Sequence, residues 1–167
     1  MSEKMKVGVM SDSHGNFEAL EKALDEMGQV DVIIHLGDYV EDALHLRTLT
    51  NIPIYILKGN LDFYAKEGSM DLETILSGFR FFACHGHKYG VKGDLNRLYH
   101  AGLERNAQVI LFGHTHQAFI EDDGQTLIMN PGSVGAARMG DPESYGIITI
   151  ENGNVDARIM PVWSYNR

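Results

Sequence analysis

Short apolar runs alternate with amphipathic stretches along the first third of the chain. Apolar runs at residues 6–10, 32–36 and 54–57 are each followed by a polar segment that contains glycine, which is typical of buried strands that end in turns. Between the first two runs, apolar residues recur at helical spacing over residues 17–27, and a second helix is predicted around residues 43–49. This strand–helix–strand order predicts parallel strand pairing with right-handed crossover connections.

The remaining two thirds of the chain are rich in predicted strands. One helix is predicted over residues 93–105, and hairpin turns are predicted at residues 122–124 and 151–154 from their Asp, Asn and Gly content. The predicted strands lie at residues 79–83, 109–112, 118–120, 126–129, 145–150 and 155–162. An α/β front half joined to a β-rich back half predicts two packed sheets flanked by helices.

The length and composition agree with one domain over residues 1–167. Hydrophobic residues make up 44% and charged residues 22% of the chain, which is ordinary for a globular protein with its own core. No apolar run approaches the roughly 20 residues needed to span a bilayer, so no membrane association is expected. The net charge of −9 disfavours a nucleic acid polymer as the partner and favours a small substrate, since polymer-binding proteins usually present a basic face.

Two features bear on the location and the assembly of the protein. The single cysteine, Cys84, cannot form an internal disulfide, and the polar start of the chain leads into a strand-like run rather than a secretory signal. Both observations predict a cytoplasmic protein. Trp163 and Tyr165 are candidates for a self-association patch, so a homo-oligomer is an open alternative.

Five polar segments that follow predicted strands supply side chains that bind metal ions in proteins. Because the carboxyl ends of neighbouring strands form a shared crevice, these side chains are expected to meet. Positions two apart in an extended segment share a face, so a segment with two ligands can present both to one ion. The candidate ligands are Asp12, His14, Asp38, Asn60, His85, His114 and His116.

The ligand types predict a centre with two metal ions. Imidazole nitrogen and carboxylate oxygen without cysteine suit Mn²⁺, Fe, Zn²⁺ or Ni²⁺, of which Mn²⁺ is the expected ion. The candidate ligands are too many for one ion, whereas two ions that share a bridging carboxylate would receive a full set each. Paired ions lower the pKa of a shared water and stabilise phosphate oxygens, so the pattern predicts hydrolysis of a phosphate ester.

The order of these segments resembles the calcineurin-like metallophosphoesterase superfamily, in particular its small bacterial and archaeal single-domain phosphodiesterases. The resemblance covers residues 7–133 and implies a four-layer α-β-β-α sandwich of two mixed β-sheets flanked by helices. The shared segments are Asp12-x-His14, Gly37-Asp38, Gly59-Asn60, a lone His85, Gly113-His114-x-His116 and the following loop Asn130-Pro131-Gly132-Ser133.

The resemblance also implies how the ligands are divided between the two ions. Asp38 would bridge the ions, and the nucleophile would be a metal-bridging hydroxide that attacks phosphorus in line. One ion would be held by Asp12, His14, Asp38 and His116, and the other by Asp38, Asn60, His85 and His114.

One departure from the superfamily pattern bears on catalysis. Leu61 stands where many members carry a histidine that helps to protonate the leaving group, an assistance typically worth about 10²–10⁴-fold. We therefore expect good turnover of aryl phosphodiesters and poor turnover of alkyl ones. Asn60 and His87 are the candidate catalytic side chains, and a structural role is the alternative for His87. Asp62 is expected to be a cap or turn residue.

A small or activated phosphodiester is the predicted substrate. Arg138 is the candidate for contact with the substrate phosphate, with plain surface solvation as its alternative. A phosphomonoesterase is the second hydrolase hypothesis, and it would need cations beyond Arg138 because a monoester carries more charge. A non-catalytic protein-interaction scaffold of the same fold, as in a retromer subunit, is the alternative from another class.

Overall fold

Ten strands and three α-helices make up the described part of the chain, residues 3–138 and 140–162, in a computed structural model. A short 3₁₀ turn at His87–Tyr89 precedes the third α-helix. In chain order the elements are β1 (Met5–Met10), α1 (Phe17–Met27), β2 (Val32–His35), α2 (Val40–Arg47), β3 (Ile54–Ile56), β4 (Asp71–Leu76), β5 (Phe79–Cys84), α3 (Asn96–Glu104), β6 (Val109–Leu111), β7 (Phe119–Asp122), β8 (Leu127–Asn130), β9 (Ser144–Glu151) and β10 (Asn154–Pro161).

The strands form two five-stranded mixed sheets. The first sheet has the order β10-β9-β1-β2-β3, in which β1, β2 and β3 are parallel and the other two strands are added by antiparallel pairing. The second sheet has the order β4-β5-β6-β8-β7, in which β5, β6 and β8 are parallel and each edge strand pairs antiparallel. Each sheet therefore presents a row of parallel strands whose carboxyl ends open on one edge.

Apolar side chains from both sheets form the interior between them. Val7 and Ile34 of the first sheet lie in the same buried cluster as Phe81 and Leu111 of the second. Because successive strand residues point to opposite faces, the alternate positions are left for the outer faces of the sheets. Those outer faces need a cover, and the helices provide it.

Helices pack on the outer face of each sheet. Ile33 of β2 lies in one buried cluster with Leu20 of α1 and Leu46 of α2. Ile110 of β6 lies in another buried cluster with Leu98 of α3. The layers therefore run helix, sheet, sheet, helix, and the predicted fold class is confirmed.

The predicted elements are present with shifts of a few residues at their ends, and one strand was missed. The helix predicted over residues 93–105 is Asn96–Glu104, and the strand predicted at residues 118–120 is Phe119–Asp122. The missed strand is β4, Asp71–Leu76, an edge strand whose positions are mostly half-buried or exposed. Its apolar residues are few: Leu76 is buried in the core between the sheets, Leu72 packs against that core, and pairing with β5 completes its place in the sheet.

Two expectations about partners concern self-association and membranes. Trp163 and Tyr165, the candidate self-association residues, lie outside the described residues. Within the described ranges, no helix combines the length and apolar character that crossing a bilayer requires.

Cys84 at the end of β5 offers a test of the packing under α3. The side chain is 2% exposed, and burial, with a further contribution from Asp71, raises the pKa of its thiol. At pH 8 the group should therefore remain a protonated thiol that solvent reagents cannot reach. We expect no reaction with Ellman's reagent in native buffer and complete reaction in urea, measured by absorbance. Reaction of the native protein at the rate of a free thiol would contradict this packing.

Candidate metal centre

Loops at one end of the two-sheet sandwich carry the predicted ligands. These loops follow β1, β2 and β3 in the first sheet and β5 and β6 in the second. Hydrogen bonds tie them across the sheets: the His114 N–H donates to the Asp12 carboxylate at 3.0 Å, and the His85 ring donates to the Leu36 carbonyl at 2.9 Å. Side chains that are distant in the sequence are thereby brought to one place.

Asp12, His14 and His116 form the first ligand group, with donor atoms that all lie within 4.8 Å of one another. The Nε2 atoms of His14 and His116 are 3.2 Å apart, and Oδ1 of Asp12 is 3.4 Å from Nε2 of His116. Two nitrogens bound to one ion at about 2.1 Å each would be separated by about 3.0–3.4 Å. The spacing in this group therefore fits a shared metal ion.

Asp38, His85 and His114 form the second ligand group, again with donor atoms within 4.8 Å of one another. Nδ1 of His114 lies 3.2 Å from Nε2 of His85, and Oδ2 of Asp38 lies 3.4 Å from the same nitrogen. The superfamily resemblance assigns these three residues to one ion together with Asn60, whose side chain is exposed.

One oxygen of Asp38 lies between the two groups. Its Oδ2 is 3.4 Å from Nε2 of His85 in the second group and 3.8 Å from Nε2 of His14 in the first. A carboxylate in this position can contribute to both sites. Oδ1 of Asp12 is buried and has no hydrogen-bond partner among the described residues. Because such an unsatisfied buried oxygen is costly, a cation among the ligands fits the site as it is built.

Burial and the neighbouring imidazoles set the charge of the two carboxylates. Burial opposes ionisation of Asp12, but the neighbouring imidazoles of His116 and His14 outweigh it and hold its pKa below the ordinary value. Burial likewise opposes ionisation of Asp38, and a hydrogen bond with His85 lowers its pKa. Both side chains are therefore ionised at neutral pH, which is the form that binds metal.

Backbone carbonyls orient two of the histidine rings. The Nδ1–H of His85 donates to the Leu36 carbonyl at 2.9 Å, and the Nδ1–H of His116 donates to the Ala136 carbonyl at 2.6 Å. Each bond fixes the tautomer in which Nε2 carries the free lone pair. Both Nε2 atoms face the carboxylates, as expected of histidines that bind metal through one nitrogen and are oriented through the other.

The protonation of the histidines responds to the same surroundings. Burial and the nearby His85 lower the pKa of His114 to about 4, and Lys92 contributes in the same direction. The nearby carboxylate of Asp12 raises the pKa of His116. Burial opposes protonation of His85, but its carboxylate hydrogen bond outweighs burial and raises its pKa. Protons therefore compete with metal ions for His85 and His116.

Five of the predicted ligands have a left-handed backbone conformation. A positive φ angle costs a residue other than glycine about 1–2 kcal/mol, so it persists only where surrounding contacts impose it. Such residues concentrate at functional sites. The ligands concerned are Asp12 (φ 55°), His14 (φ 48°), Asp38 (φ 58°), His114 (φ 71°) and His116 (φ 61°).

Two glycines allow the ligand loops to approach one another. A Cβ atom at Gly59 would overlap the carboxylate and the backbone nitrogen of Asp38. A Cβ atom at Gly113 would overlap the Ser11 hydroxyl and lie 2.9 Å from Oδ2 of Asp12. The glycines that accompany Asn60 and His114 in the sequence therefore have a steric role beside the carboxylates.

The structure places the other predicted site residues around these groups. Asn60 is exposed in the loop after β3, between Gly59 and Leu61, which both contact Asp38. The ring of His87 lies beside the second group, with its centroid 5.5 Å from that of His85. Burial, followed by His85, lowers the pKa of His87.

Arg138 and the loop after β3 form part of the surroundings of the site. Arg138 is exposed, and its Nε donates to the Thr115 carbonyl at 3.0 Å, within the loop that carries His114 and His116. The loop after β3 exposes Phe63 and Tyr64, whose side chains are 82% and 91% accessible. The sequence did not reveal this exposed aromatic pair.

His35 supports two of the ligand loops without being a ligand. It lies at the end of β2 and is fully buried. Its Nδ1 accepts the N–H of Gly37, so its Nε2–H donates to the Ser13 hydroxyl at 3.0 Å. Ser13 lies between two ligands of the first group, and Gly37 precedes Asp38. Nothing in the local sequence distinguishes this supporting histidine from a ligand.

A sandwich of two sheets with ligand loops at one end is the architecture of metallophosphoesterases. The chain matches the model of the calcineurin-like phosphoesterase superfamily domain over residues 5–153. The protein therefore belongs to the calcineurin-like phosphoesterase superfamily, as its sequence motifs suggested.

Relatives with assigned names resemble the chain over most of its length. The probable metallophosphoesterase YsnB of Bacillus subtilis is 37% identical over 155 residues, which cover 92% of this chain and 89% of the relative. The phosphodiesterase MJ0936 of Methanocaldococcus jannaschii is 30% identical over 164 residues, covering 88% and 94%.

Solved structures show the same fold. A predicted phosphoesterase from Streptococcus pneumoniae superposes with a TM-score of 0.76 at 30% identity, covering 96% of this chain and 91% of the other. Vacuolar protein sorting 29 from Cryptosporidium parvum superposes with a TM-score of 0.72 at 17% identity, covering 94% and 97%. At that identity the likeness to the sorting protein concerns the fold alone.

The close approach at Gly59 gives a prediction for the second ligand group. Gly59→Ala would push its new methyl group against the Asp38 carboxylate. We expect Mn²⁺ affinity to fall by about tenfold or more, measured by titration calorimetry, because ligand positions tolerate little displacement. Gly93→Ala is the control, since the nearest atom to its new Cβ would be a backbone oxygen at 3.5 Å. Equal Mn²⁺ affinity in the two variants would contradict the proposed crowding.

Proposed function

We propose that the protein is a dinuclear metal-dependent phosphodiesterase that hydrolyses a small or activated phosphodiester. The observation that carries the proposal is the position of Asp38, whose Oδ2 lies 3.4 Å from His85 and 3.8 Å from His14. One carboxylate oxygen thus faces an imidazole from each ligand group. Membership of the phosphoesterase superfamily and the phosphodiesterase names of relatives support the same function.

The donor set suits two divalent ions, with Mn²⁺ as the proposed metal and Fe, Zn²⁺ or Ni²⁺ as alternatives. The first ion would be held by the group of Asp12, and the second by the group of His85, with Asp38 shared and Asn60 added to the second. Bound ions would supply the positive charge that lowers the pKa of a water and neutralises phosphate oxygens. Two ionised carboxylates leave part of that charge free for the substrate.

The protein's own residues would bind and orient the substrate around this charge. Arg138 is anchored to the Thr115 carbonyl beside the ligand loop, and its remaining guanidinium N–H groups are suited to a phosphate oxygen. Leu61 cannot donate a proton, so the leaving group gains little help on that side. We propose His87 as the partial substitute, since its ring lies beside the second group.

A phosphomonoesterase remains the alternative within the hydrolases. A monoester carries more negative charge than a diester and would gain more from additional cations. Lys92 influences His114 electrostatically, so it is a second cation near the site besides Arg138. Rates on matched aryl monoesters and diesters, measured with the same Mn²⁺-loaded protein, would separate the two hypotheses.

The scaffold hypothesis is favoured by one observation, the fold shared with vacuolar protein sorting 29. Both ligand groups are present in this chain with donor atoms in metal-binding range, which favours the enzyme. A sample that binds two Mn²⁺ ions and yet hydrolyses no aryl diester or monoester would favour the scaffold. The cytoplasmic location stays a prediction.

Asp38 provides the direct test of the shared carboxylate. Asp38→Asn removes the negative charge of a carboxylate whose Oδ2 faces both ligand groups. We expect it to bind no more than one Mn²⁺ ion and to lose more than about 100-fold in aryl diesterase activity. That loss exceeds the roughly 10–100-fold typical of changing a residue that only orients a metal ligand. Metal content by mass spectrometry and kcat on bis(p-nitrophenyl) phosphate measure the two effects.

The matched control for Asp38→Asn lies at the other end of the sheet. Asp31→Asn removes a carboxylate that accepts the backbone N–H of Lys6, next to the amino end of β2. It is expected to retain two Mn²⁺ ions and full activity. An Asp38→Asn variant that behaves like this control would refute the dinuclear proposal.

The leaving group provides a separate test of the proton donor. Across a series of diesters, kcat is expected to fall steeply as the leaving-group pKa rises, because Leu61 offers no acid. His87→Gln should change aryl diester rates by less than about threefold and lower alkyl diester rates by about tenfold. The tenfold effect is smaller than the roughly 10²–10⁴-fold of a fully effective general acid, because His87 is proposed only as a partial substitute. His100→Gln, on an exposed position of α3, is the control. An equal loss on every substrate would exclude His87 as a proton donor.

A further inference from the structure

A buried carboxylate behind the second ligand group accepts hydrogen bonds from two ligand loops. Asp62 is 4% exposed, and its Oδ2 accepts the N–H of Asp38 at 2.9 Å and that of Gly59 at 2.7 Å. Its Oδ1 accepts the N–H groups of Tyr39 and Val40, both at 2.8 Å. Four backbone donors thus converge on one ionisable side chain that belongs to neither ligand group.

A helix cap accounts for only half of these bonds. Tyr39 precedes α2 and provides no side-chain cap of its own, so Asp62 serves that helix terminus from outside. The expectation that Asp62 is a cap is confirmed to that extent. The N–H groups of Asp38 and Gly59 lie outside the helix, in the loops that carry the shared carboxylate and Asn60.

The loop after β3 returns a contact to the shared carboxylate. The N–H of Leu61 donates to Oδ1 of Asp38 at 3.1 Å. Asp38 is therefore held at its backbone by Asp62 and at Oδ1 by Leu61. This arrangement leaves Oδ2 of Asp38 facing His14 and His85.

The charge of Asp62 is directed at neutral partners. All four donors to its carboxylate are backbone N–H groups, which carry no net charge. An ionised Asp62 would therefore add negative charge behind the Asp38 loop, beyond the charges of Asp12 and Asp38. In a buried setting such a charge is screened less than one at the surface.

We propose that Asp62 is a positioning residue for the metal pair. It fixes Asp38 and the Asn60 loop in register with each other, and it adds a third negative charge behind the ligands. This inference rests on the dinuclear centre proposed above.

The first ligand group has supports that do not involve Asp62. The Ser133 hydroxyl donates to the Asp12 carbonyl at 2.7 Å, and His35 holds the Ser13 hydroxyl at 3.0 Å. Loss of Asp62 should therefore affect the second ion, beside His85, more than the first. The expected signature is a protein that keeps one Mn²⁺ ion and loses the other.

Asp62→Asn is the informative variant because it nearly preserves shape while removing the charge. The side-chain NH₂ group of the new Asn would also face two of the backbone N–H groups that now donate to the Asp62 carboxylate, so those hydrogen bonds would be lost. We expect Mn²⁺ stoichiometry to fall from two to one at concentrations that saturate the unaltered protein, with a dissociation constant for the second ion raised about 10–100-fold. In electron paramagnetic resonance, the exchange-coupled signal of a Mn²⁺ pair should give way to that of isolated Mn²⁺.

A control variant with a similar loss of stability distinguishes the proposed positioning role of Asp62 from a general weakening of α2. Leu46 is a fully buried residue of α2, so Leu46→Ala weakens the same helix through its packing and leaves the Asp38 loop untouched. Thermal unfolding of the metal-free variants ranks their stability. Leu46→Ala is expected to bind two Mn²⁺ ions even where it is as unstable as Asp62→Asn.

Several results would overturn the inference. Two Mn²⁺ ions bound to Asp62→Asn with unchanged affinity would do so, as would an equal loss of Mn²⁺ in Leu46→Ala. Should Asp62→Asn not fold, Asp62→Glu shifts the carboxylate by one methylene and is expected to lose the second ion to a smaller degree; unchanged affinity there would also overturn the inference. Absence of a Mn²⁺ pair in the unaltered protein would instead refute the proposed function.

Discussion

The candidate centre depends on holding five ligand residues in left-handed backbone conformations. Each such residue costs about 1–3 kcal/mol, and a domain has only about 5–15 kcal/mol of net stability to offset the total. The surrounding contacts must therefore be strong and numerous. Hydrogen bonds with His35, Asp62 and Ser133, together with the close approach allowed by Gly59 and Gly113, supply that support. A ligand set held in this way is largely preorganised before any ion arrives.

The sequence predicted the metal ligands of the site better than the residues that hold the ligand loops in place. Asp12, Asp38 and His85 stand within two residues of the ends of apolar runs, so their residue types and positions were readable from a few neighbours. His35 lies within an apolar run, at the end of β2, yet its ring contacts the Ser13 hydroxyl and supports a loop. The difference between His35 and His85 arises from which strand lies beside each, and this is a property of the folded chain.

In the fold, too, some features are set by the local sequence and others by contacts between distant parts of the chain. Periodicity predicted the helices and the buried strands because each carries its own apolar pattern. The strand β4 places only Leu72 and Leu76 against the core, so its pattern is too weak to read, and its pairing with Phe79–Cys84 defines it. The left-handed ligands were equally unreadable, because Asp and His have no local preference strong enough to predict a positive φ angle. The superfamily resemblance added the division of ligands into two groups, and the donor-atom distances give the same division.

Each ligand group draws on both sheets, and this has a consequence for how the chain assembles. His14 and His116, which face each other at 3.2 Å, are 102 positions apart in the sequence. An ion held between them would act as a reversible cross-link between the front and back halves of the chain, closing a very long loop. Metal binding would then occur late in folding, only after the front half of the chain has packed against the back half. Removal of the ions by a chelator would loosen the seam between the halves before it affected either half alone.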